Sequence, residues 1–483
     1  MPPTAAPPAR ATAVRHLSVP ATTRLLGDWH AGGPAYVALA DALRAALLAG
    51  TLPALTRLPS ERDLARGLGV SRTTTSAAYA RLREHGFAAS QVGSGTVTVL
   101  PRTPVRTRTP AAGDAPVPDR RLAGPVDHET IDMSQATPSA TRALHGAYSR
   151  ALETLPAYLD GGGYAHLGID PLRAAIADRY TRRGLPTDPD QVLVTTGAQQ
   201  AISLLAATVG RRGEHAVVES PTYFHAVDAL QRAGSRVVGV PPGDVDALDS
   251  AVRRTRARLV YLVPDVHNPT GSTLDLDQRR QVAAVAARHD VTVVGDETLT
   301  DLDLDGSGAP APFALDGADP RLVTVGSASK SFWGGLRVGW VRADAQLVGR
   351  LAQVRQAQDI ATPVLEQLAV VELLGGREQI LPERRDALRA RRDELVDLVR
   401  RRFASWEVPS PSGGMCLWVS LRRPVATALA AAAVGEGLRI APGPRFTPDG
   451  SHRDRIRLTY TAPPETYPEV LDRLERAWLR VTS

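Results

Sequence analysis

Several residue types that usually recur in a chain of 483 residues are nearly missing from this sequence. It has one cysteine, Cys416, and three methionines; of its 57 basic residues 56 are arginine, and the single lysine is Lys330. One cysteine cannot form an internal disulfide, which fits a reducing cytoplasm. A preference for arginine along a whole chain usually reflects genome composition, as the many Ala, Gly and Pro also suggest. That bias accounts for the arginines and leaves the one lysine unexplained.

Long apolar runs are lacking as well. No segment approaches the roughly 18 apolar residues that span a bilayer. The first 20 residues contain Arg10 and Arg15 but no apolar core of a signal peptide. The apolar content of 43%, the charged content of 22% and the net charge of +6 are ordinary for a globular protein. We therefore expect a cytoplasmic protein of two or three domains with no membrane partner, and the sequence predicts no metal site.

The single lysine indicates a particular chemistry. Arginine replaces lysine at most surface positions and often binds phosphate or carboxylate better. Arginine cannot lose its proton and attack a carbonyl to form a Schiff base, and lysine can. Lys330 is therefore a candidate for covalent amine chemistry.

A linker divides the chain. Residues 101–127, "PRTPVRTRTPAAGDAPVPDRRLAGPVD", are dense in Pro, Arg, Ala and Gly and show no apolar period. Such a composition favours extended, semi-rigid segments. It predicts an N-terminal domain over residues 34–100 and a C-terminal domain over residues 128–483.

The N-terminal domain shows the pattern of a winged helix-turn-helix. Residues 34–49 have apolar positions at helical spacing. Ser60 is a favourable N-cap for a helix through Leu68, and after the break at Gly69 the hydroxyl of Ser71 caps a second helix that runs to His85. The stretch "FAASQVGSGTVTV" that follows predicts two short strands, a hairpin wing.

The second helix begins "SRTTTS", a hydroxyl-rich turn with an arginine. Any exposed helix start is polar, but after a helix-turn-helix and before a wing this turn suits entry into the major groove of DNA. The stretch "RLPSERDLARGLGVSRTTTSAAYARLREHG" with "VGSGT" resembles the GntR-type winged helix. The resemblance implies DNA contacts by Arg62, Arg72, Thr73 and Thr74, and an approach of Gly93, at the wing tip, to the minor groove.

The C-terminal domain alternates apolar β-rich runs, such as "RLVYLVP" and "VTVVGDE", with amphipathic helices. Continuous Val and Leu runs predict strands buried on both faces, and hence a mostly parallel α/β sheet. Ligands of such sheets bind beyond the carboxyl ends of the strands. Polar residues collect at those ends, namely Gly197, Ala198 and Gln199 in "TTGAQQ", Tyr223 in "SPTYF", Asn268 in "VHNPTG", Asp296 in "VVGDE", and Ser327, Lys330 and Arg337 in "GSASKSFWGGLR".

Each of these signals is weak alone, since a strand-end Asp is usually a cap, Asn-Pro is usually a turn and "TTGAQQ" could be an ordinary tight turn. Together they supply a phosphate-binding turn, an aromatic plate, an amide donor, a carboxylate, an amine and a cation. Pyridoxal 5'-phosphate (PLP) requires such a set, because its aldehyde condenses with a lysine and a carboxylate keeps its pyridine nitrogen protonated. We therefore expect Lys330 to form the Schiff base with PLP.

The same motifs, with "RIRLTY" near the end, resemble the fold-type I, class I aminotransferases, which have a large PLP domain and a smaller C-terminal domain. The resemblance implies that Asp296 pairs with the pyridine nitrogen, Tyr223 stacks on the ring and Asn268 reaches the phenolic oxygen. It implies that Arg457 takes an amino-acid carboxylate and that Tyr164 reaches the phosphate of the partner subunit. It also implies a phosphate site formed by Gly197, Ala198, Ser327 and Arg337. Gln199 lies in the same strand-to-helix turn, whose free backbone N–H groups can hold a phosphate.

One position departs from that family. A tyrosine commonly lies two residues after the aspartate and donates to the phenolic oxygen, whereas this chain has Thr298, which is too short for that role. We therefore expect little or no turnover.

The order of winged helix, linker and aminotransferase-like domain resembles the MocR branch of GntR regulators. That resemblance implies a head-to-tail homodimer that binds a double-stranded DNA operator and senses PLP or a PLP adduct with an amino acid or amine. The alternative is an active aminotransferase with an accessory DNA-binding domain.

Overall fold

The computed structural model describes residues 15–30, 33–48, 51–91, 95–99, 130–306, 310–314 and 319–482. The chain divides into two compact units, Met1–Ala111 and Ala112–Ser483. The predicted linker, residues 101–127, and the predicted wing-tip Gly93 lie outside the described residues.

The first unit is a small helical domain with one sheet. Its elements, in chain order, are β1 Arg15–His16, α1 Val19–Leu26, α2 Ala35–Leu48, β2 Thr56–Arg57, α3 Glu61–Leu68, α4 Arg72–Glu84, β3 Ala88–Gln91 and β4 Gly95–Thr98. The sheet has the strand order β1-β2-β4-β3, in which β3 and β4 form the antiparallel hairpin of the wing.

Capping residues define the two central helices of this unit. The Ser60 hydroxyl accepts from the Asp63 N–H at 3.1 Å, and the Ser71 hydroxyl accepts from the Thr74 N–H at 3.0 Å. Between the helices Gly69 adopts a φ of +67°, which other residues rarely tolerate. Apolar side chains of α2, α3 and α4 form one core. The predicted winged helix-turn-helix is confirmed, with its second helix ending at Glu84, one residue earlier than predicted.

The strand β1 and the helix α1 were not predicted. Ser18 caps α1 by accepting from the Ala21 N–H at 3.3 Å. The side chain of Val19 lies against Gly67 of α3, where the Cβ of any other residue would come within 2.1 Å of the Val19 Cγ1. This segment is short and its packing depends on a glycine far along the chain, so its own apolar pattern did not reveal it.

The second unit contains a large sheet, a small sheet and flanking helices. None of the helices in the described part of the chain has the length and hydropathy to cross a membrane. The elements are β5 Ile131–Asp132, α5 Leu144–Thr154, α6 Asp170–Arg182, β6 Val192–Thr195, α7 Ala198–Thr208, β7 His215–Glu219, α8 Phe224–Arg232, β8 Arg236–Val240, α9 Val245–Thr255, β9 Leu259–Leu262, α10 Leu276–His289, β10 Thr292–Asp296, β11 Leu322–Ser327, α11 Ala328–Ser331, β12 Gly339–Arg342, α12 Ala345–Gln356, α13 Val364–Gly375, α14 Arg377–Arg402, β13 Cys416–Ser420, α15 Ala426–Gly435, β14 Leu438–Arg439, β15 Ala441–Pro442, β16 Arg455–Thr459 and α16 Tyr467–Thr482.

The large sheet has seven strands in the order β6-β12-β11-β10-β9-β7-β8. Only β12 runs antiparallel to its neighbours. Helices pack on both faces and bury nearly every central strand residue, which explains the continuous apolar runs in the sequence. The predicted mostly parallel α/β sheet is confirmed.

The small sheet, of order β13-β16-β15, is antiparallel and packs against α14, α15 and α16. The first described strand of the unit, β5, pairs with β14 of the same region. The predicted smaller C-terminal domain is therefore present, and residues just after the predicted linker add a strand to it.

Candidate cofactor pocket and DNA-contact surface

A cavity of about 260 Å³ lies at the carboxyl ends of the parallel strands. Residues that are far apart in sequence meet there because successive strands of a parallel sheet end at the same edge. The cavity wall includes most of the predicted cofactor and effector residues, namely Ala198, Gln199, Tyr223, Asn268, Asp296, Ser327, Lys330, Arg337 and Arg457.

Two other residues predicted to contact the cofactor are not part of the cavity wall. Gly197 precedes α7 with a φ of +88°, and a Cβ there would come within 2.7 Å of the Arg337 guanidinium, so a glycine is required for this approach. Tyr164 is not part of the cavity wall and is 67% exposed. The prediction that Tyr164 reaches a partner subunit therefore stays a prediction.

Lys330 follows β11 on the short helix α11. Its Nζ donates to the Ala136 carbonyl oxygen at 2.8 Å. Burial, together with the nearby cations Arg457 and Arg337, lowers the pKa of Lys330 to about 8, although Asp296 acts in the opposite direction. At neutral pH a far larger share of this amine is unprotonated than for an ordinary lysine, and only the unprotonated amine attacks a carbonyl.

Asp296 ends β10 and is 5% exposed. Its Oδ2 accepts from the Tyr261 hydroxyl at 2.7 Å, and its Oδ1 accepts from the Thr298 N–H at 2.9 Å. Burial raises the pKa of Asp296, while the hydrogen bonds from Thr298 and Tyr261 lower it. The carboxylate is thus desolvated but held by two donors, which suits it to pair with a cation inside the cavity.

Polar groups collect at the end of the cavity next to α7. Arg337 donates from Nη2 to the Thr196 carbonyl at 3.0 Å, and its guanidinium lies beside the first turn of α7. The buried Ser329 Oγ and Gln199 Oε1 have no hydrogen-bond partner among the described residues. The cation, the helix N-terminus and the Ser329 hydroxyl fit an anionic ligand such as a phosphate ester, whereas the Gln199 Oε1 can only accept a hydrogen bond and gives no such support.

Asn268 and Arg457, both in the cavity wall, form a hydrogen-bonded pair. Arg457, on β16, donates from Nη1 to the Asn268 Oδ1 at 3.0 Å and from Nη2 to the Ser134 carbonyl oxygen. The oxygen of the Asn268 amide accepts from Arg457, and its NH₂ is the group that can donate to a ligand. The Arg457 guanidinium lies 4.7 Å from the ring centre of Phe446, and burial lowers its pKa.

Tyr223, before α8, brings a ring to the cavity. Burial and the charge of Asp296 raise its pKa to about 12, so its phenol stays neutral. A neutral, half-buried ring at this place can stack on a flat ligand.

Other residues of the wall were not predicted. Residues 135–137 follow the linker region and have no motif of their own. The single cysteine was a compositional signal that could have marked Cys416. The unpredicted residues of the wall are Gln135, Ala136, Thr137, Phe224, His225, Val263, Thr298, Leu299, Ser329, Met415 and Cys416.

The predicted DNA contacts lie on α3 and at the start of α4. Arg62, Arg72 and Thr73 are exposed and Thr74 is half-buried. The Ser71 hydroxyl lies 2.7 Å from that of Thr73 and 2.8 Å from that of Thr74. Residues Met1–Ala111 hold 13 arginines and five acidic residues, a net charge of +8, although the whole chain carries only +6. The positive charge of the protein is therefore concentrated in the helix-turn-helix unit, as binding to DNA phosphates requires.

Comparison with known sequences identifies both units. The family "Aminotransferase class I and II" matches residues 158–474, and "Bacterial regulatory proteins, gntR family" matches residues 35–98. The 2-aminoadipate transaminase of Thermus thermophilus is 32% identical over 364 residues, 72% of this chain and 87% of that protein. The probable rhizopine catabolism regulatory protein MocR of Rhizobium meliloti is 29% identical over 480 residues, 95% of this chain and 97% of that protein.

A solved structure agrees with the fold of the second unit. It is that of LysN, the alpha-aminoadipate aminotransferase from Thermus thermophilus, complexed with N-(5'-phosphopyridoxyl)-L-leucine. Its TM-score is 0.67 at 28% identity, and the match covers 75% of this chain and 94% of that chain.

A winged helix-turn-helix followed by a fold-type I aminotransferase-like domain defines a class of transcription regulator. The chain belongs to the aminotransferase class I and II family, and its GntR-type domain makes it a MocR-type regulator of the GntR family. The expected order of a DNA-binding module followed by an aminotransferase-like module is confirmed.

Proposed function

We propose that this regulator binds PLP through Lys330 and senses PLP, or PLP joined to an amino acid or amine, by changing its binding to an operator. The observation that carries the proposal is the position of the only lysine. Its amine has a pKa of about 8 and lies in a cavity whose wall also holds Asp296 and Arg337. We further propose that the protein acts as a head-to-tail homodimer.

The cavity would hold PLP by the following contacts. Lys330 would attach to it covalently, Asp296 would pair with its ring nitrogen and Tyr223 would stack on the ring. The NH₂ of Asn268 would donate to the phenolic oxygen. The phosphate would be held by Gly197, Ala198, Gln199, Ser327 and Arg337, with Tyr164 from the partner chain. When bound, PLP supplies a carbonyl that condenses with amines and a ring that withdraws electrons.

The contacts of residues 134–137 support a route from the cavity to the linker. The Ala136 carbonyl accepts from Lys330, and the Ser134 carbonyl accepts from Arg457. Covalent attachment would remove protons from the Lys330 ammonium, and a ligand carboxylate would compete for Arg457. Both events would remove a contact that holds residues 134–137 in place. The predicted linker ends only seven residues before Ser134.

Such a route can work only if the ligand distinguishes two arrangements of the protein, since a ligand that both bind equally shifts no equilibrium. The segment provides such a difference, because its two carbonyl oxygens and the ligand compete for the same two side chains, Lys330 and Arg457. We expect the arrangement with these contacts and the arrangement with ligand to differ in DNA affinity.

The proposal is tested by measuring DNA binding with and without ligands. Duplexes are selected from a random pool by the purified protein, and their affinity is measured alone, with PLP, and with PLP plus single amino acids or amines. We expect at least one ligand condition to change the affinity. Unchanged affinity in every condition, together with steady transamination at about 1 per second or faster, would contradict the proposal.

Arg72→Ala should weaken binding to the selected duplex by roughly 1–3 kcal/mol if Arg72 contacts a guanine. Absorbance of bound PLP should not change, because Arg72 belongs to the first unit. Arg44→Ala is the matched control, since this arginine lies on α2 and pairs with Asp41 at 3.3 Å. Equal affinities of Arg72→Ala and the unaltered protein would remove Arg72 from the DNA-contact surface.

Uptake of PLP by the apoprotein should depend on pH through Lys330. Its pKa is lowered from 10.5 to about 8, so the reactive neutral amine increases as the pH rises through 8 rather than through 10.5. The rate of covalent attachment, followed by absorbance in a stopped-flow instrument, should rise from pH 6.5 and level off near pH 9. A rate that still climbs tenfold per pH unit at pH 9 would show that Lys330 titrates as an ordinary lysine.

A further inference from the structure

Asp296 contacts a buried tyrosine that does not line the cavity. Tyr261, on β9, is 2% exposed, and its hydroxyl donates to the Asp296 Oδ2 at 2.7 Å. In the sequence Tyr261 belongs to the apolar run "RLVYLVP" and resembles any other buried strand residue. The structure shows that it contacts the residue expected to pair with the cofactor.

Strand register explains how Tyr261 reaches Asp296. The strands β9 and β10 are parallel neighbours, and Tyr261 is level with Val294. Val294 and Asp296 point to the same face of the sheet because side chains alternate along a strand. A tyrosine is long enough to extend from the level of Val294 to that of Asp296, and a shorter polar side chain is not.

The hydrogen bond favours the charged form of Asp296. Burial raises the pKa of Asp296, and a donor to the carboxylate opposes that shift. Burial and the charge of Asp296 raise the pKa of Tyr261 well above its ordinary value, so its hydroxyl remains a donor. Tyr223 and Glu219 are the other acidic groups that act on Tyr261, and both act in the same direction.

We propose that Tyr261 is a positioning residue for the cofactor: its hydroxyl orients Asp296 and keeps it ionised for pairing with the pyridine nitrogen of PLP. This inference rests on the proposed function. Tyr261 does not take the place of the tyrosine that is missing at Thr298, because its hydroxyl bonds to the carboxylate. Thr298 contributes its backbone N–H to the second oxygen of the same carboxylate.

Tyr261→Phe removes this hydroxyl with the least change of shape. We expect PLP to bind the apoprotein roughly tenfold more weakly, as loss of a hydrogen bond to a charged group implies. The affinity is measured by quenching of tryptophan emission. The pH midpoint of the absorbance change of bound PLP should also rise by about one unit. The ring nitrogen would carry less positive charge, and the nitrogen of Lys330 would keep its proton to higher pH.

Tyr467→Phe is the matched control, since Tyr467 is also buried and donates its hydroxyl to the Ala462 carbonyl at 3.3 Å, within the small domain. It should leave both measurements unchanged. In an Asp296→Asn background Tyr261→Phe should have little further effect, because Tyr261 acts through the carboxylate. Circular dichroism establishes that each variant is folded.

The outcomes separate this inference from the function on which it rests. If the unaltered protein fails to bind PLP, the proposed function is wrong. If it binds PLP and Tyr261→Phe has the same affinity and the same pH midpoint, only the role of Tyr261 is wrong. An equal loss of affinity with and without Asp296→Asn would also overturn that role, since Tyr261 would then act independently of the carboxylate.

Discussion

Lys330→Ala should abolish the absorbance band of covalently bound PLP, expected at about 420 nm, and the protein should no longer retain PLP through gel filtration. The reason is that the chain has no other lysine to form the bond. The variant should still bind DNA, because the predicted DNA-contact residues lie in the first unit, with an affinity shifted by the loss of the contact between Lys330 and the Ala136 carbonyl oxygen. Absorbance spectra and DNA affinity of the same preparation measure both effects.

Lys330→Arg is the sharper control for this prediction. It keeps a cation in the cavity that can still donate to the Ala136 carbonyl, but a guanidinium does not condense with an aldehyde. It should therefore lose the band while remaining folded. Persistence of the band in either variant would show that PLP is not attached at Lys330, and a ligand response of DNA binding in both variants would show that covalent attachment is not needed for sensing.

Arg457→Ala should remove the response of DNA binding to an amino-acid effector while the PLP band remains, and its DNA affinity without effector should shift towards that of the liganded protein, because the contact with the Ser134 carbonyl oxygen is lost. Arg457 is 3% exposed and offers a planar set of donors, which matches a carboxylate. Loss of such a charged contact should weaken effector binding roughly 10- to 100-fold. The measurement is DNA affinity against effector concentration at saturating PLP.

Two further variants control for the loss of a buried arginine. Arg457→Lys keeps the charge without the bidentate geometry and should respond only at higher effector concentration. Arg392→Ala removes another buried arginine, one that donates to Asp305 at 2.7 Å and is not part of the cavity wall. If Arg392→Ala also loses the response, the effect is one of stability. If Arg457→Ala keeps the response, either PLP alone is the signal or the carboxylate binds elsewhere.

Much of the fold could be predicted because its signals are local. Ser60 and Ser71 cap the helices that they precede in the sequence, and Gly69 lies in the turn between them. Runs such as "VTVVGDE" predicted central strands since helices cover both faces of the sheet. The segment of β1 and α1 has no comparable signal, because Val19 is held by Gly67, which is 48 positions away.

The candidate site divides in the same way. Residues at strand ends were predicted from their order along the chain, because the parallel sheet brings those ends to one edge. The contact of Lys330 with the Ala136 carbonyl joins positions 194 apart, and although the sequence marks Lys330, no motif marks Ala136 as its partner. Tyr261 was hidden for another reason, since a buried polar tip looks like any aromatic residue of a strand.

The residues alone indicate which chemistry is possible: a single lysine that can attack a carbonyl, a hydroxyl-rich helix start with an arginine, and polar groups after apolar strands. These properties belong to side-chain type and local spacing. Only the tertiary structure decides how those groups are tuned, because charge, burial and hydrogen bonding depend on neighbours from distant segments. The lowered pKa of Lys330, the donors to Asp296 and the contacts of Arg457 all arise from packing between segments that the sequence keeps apart.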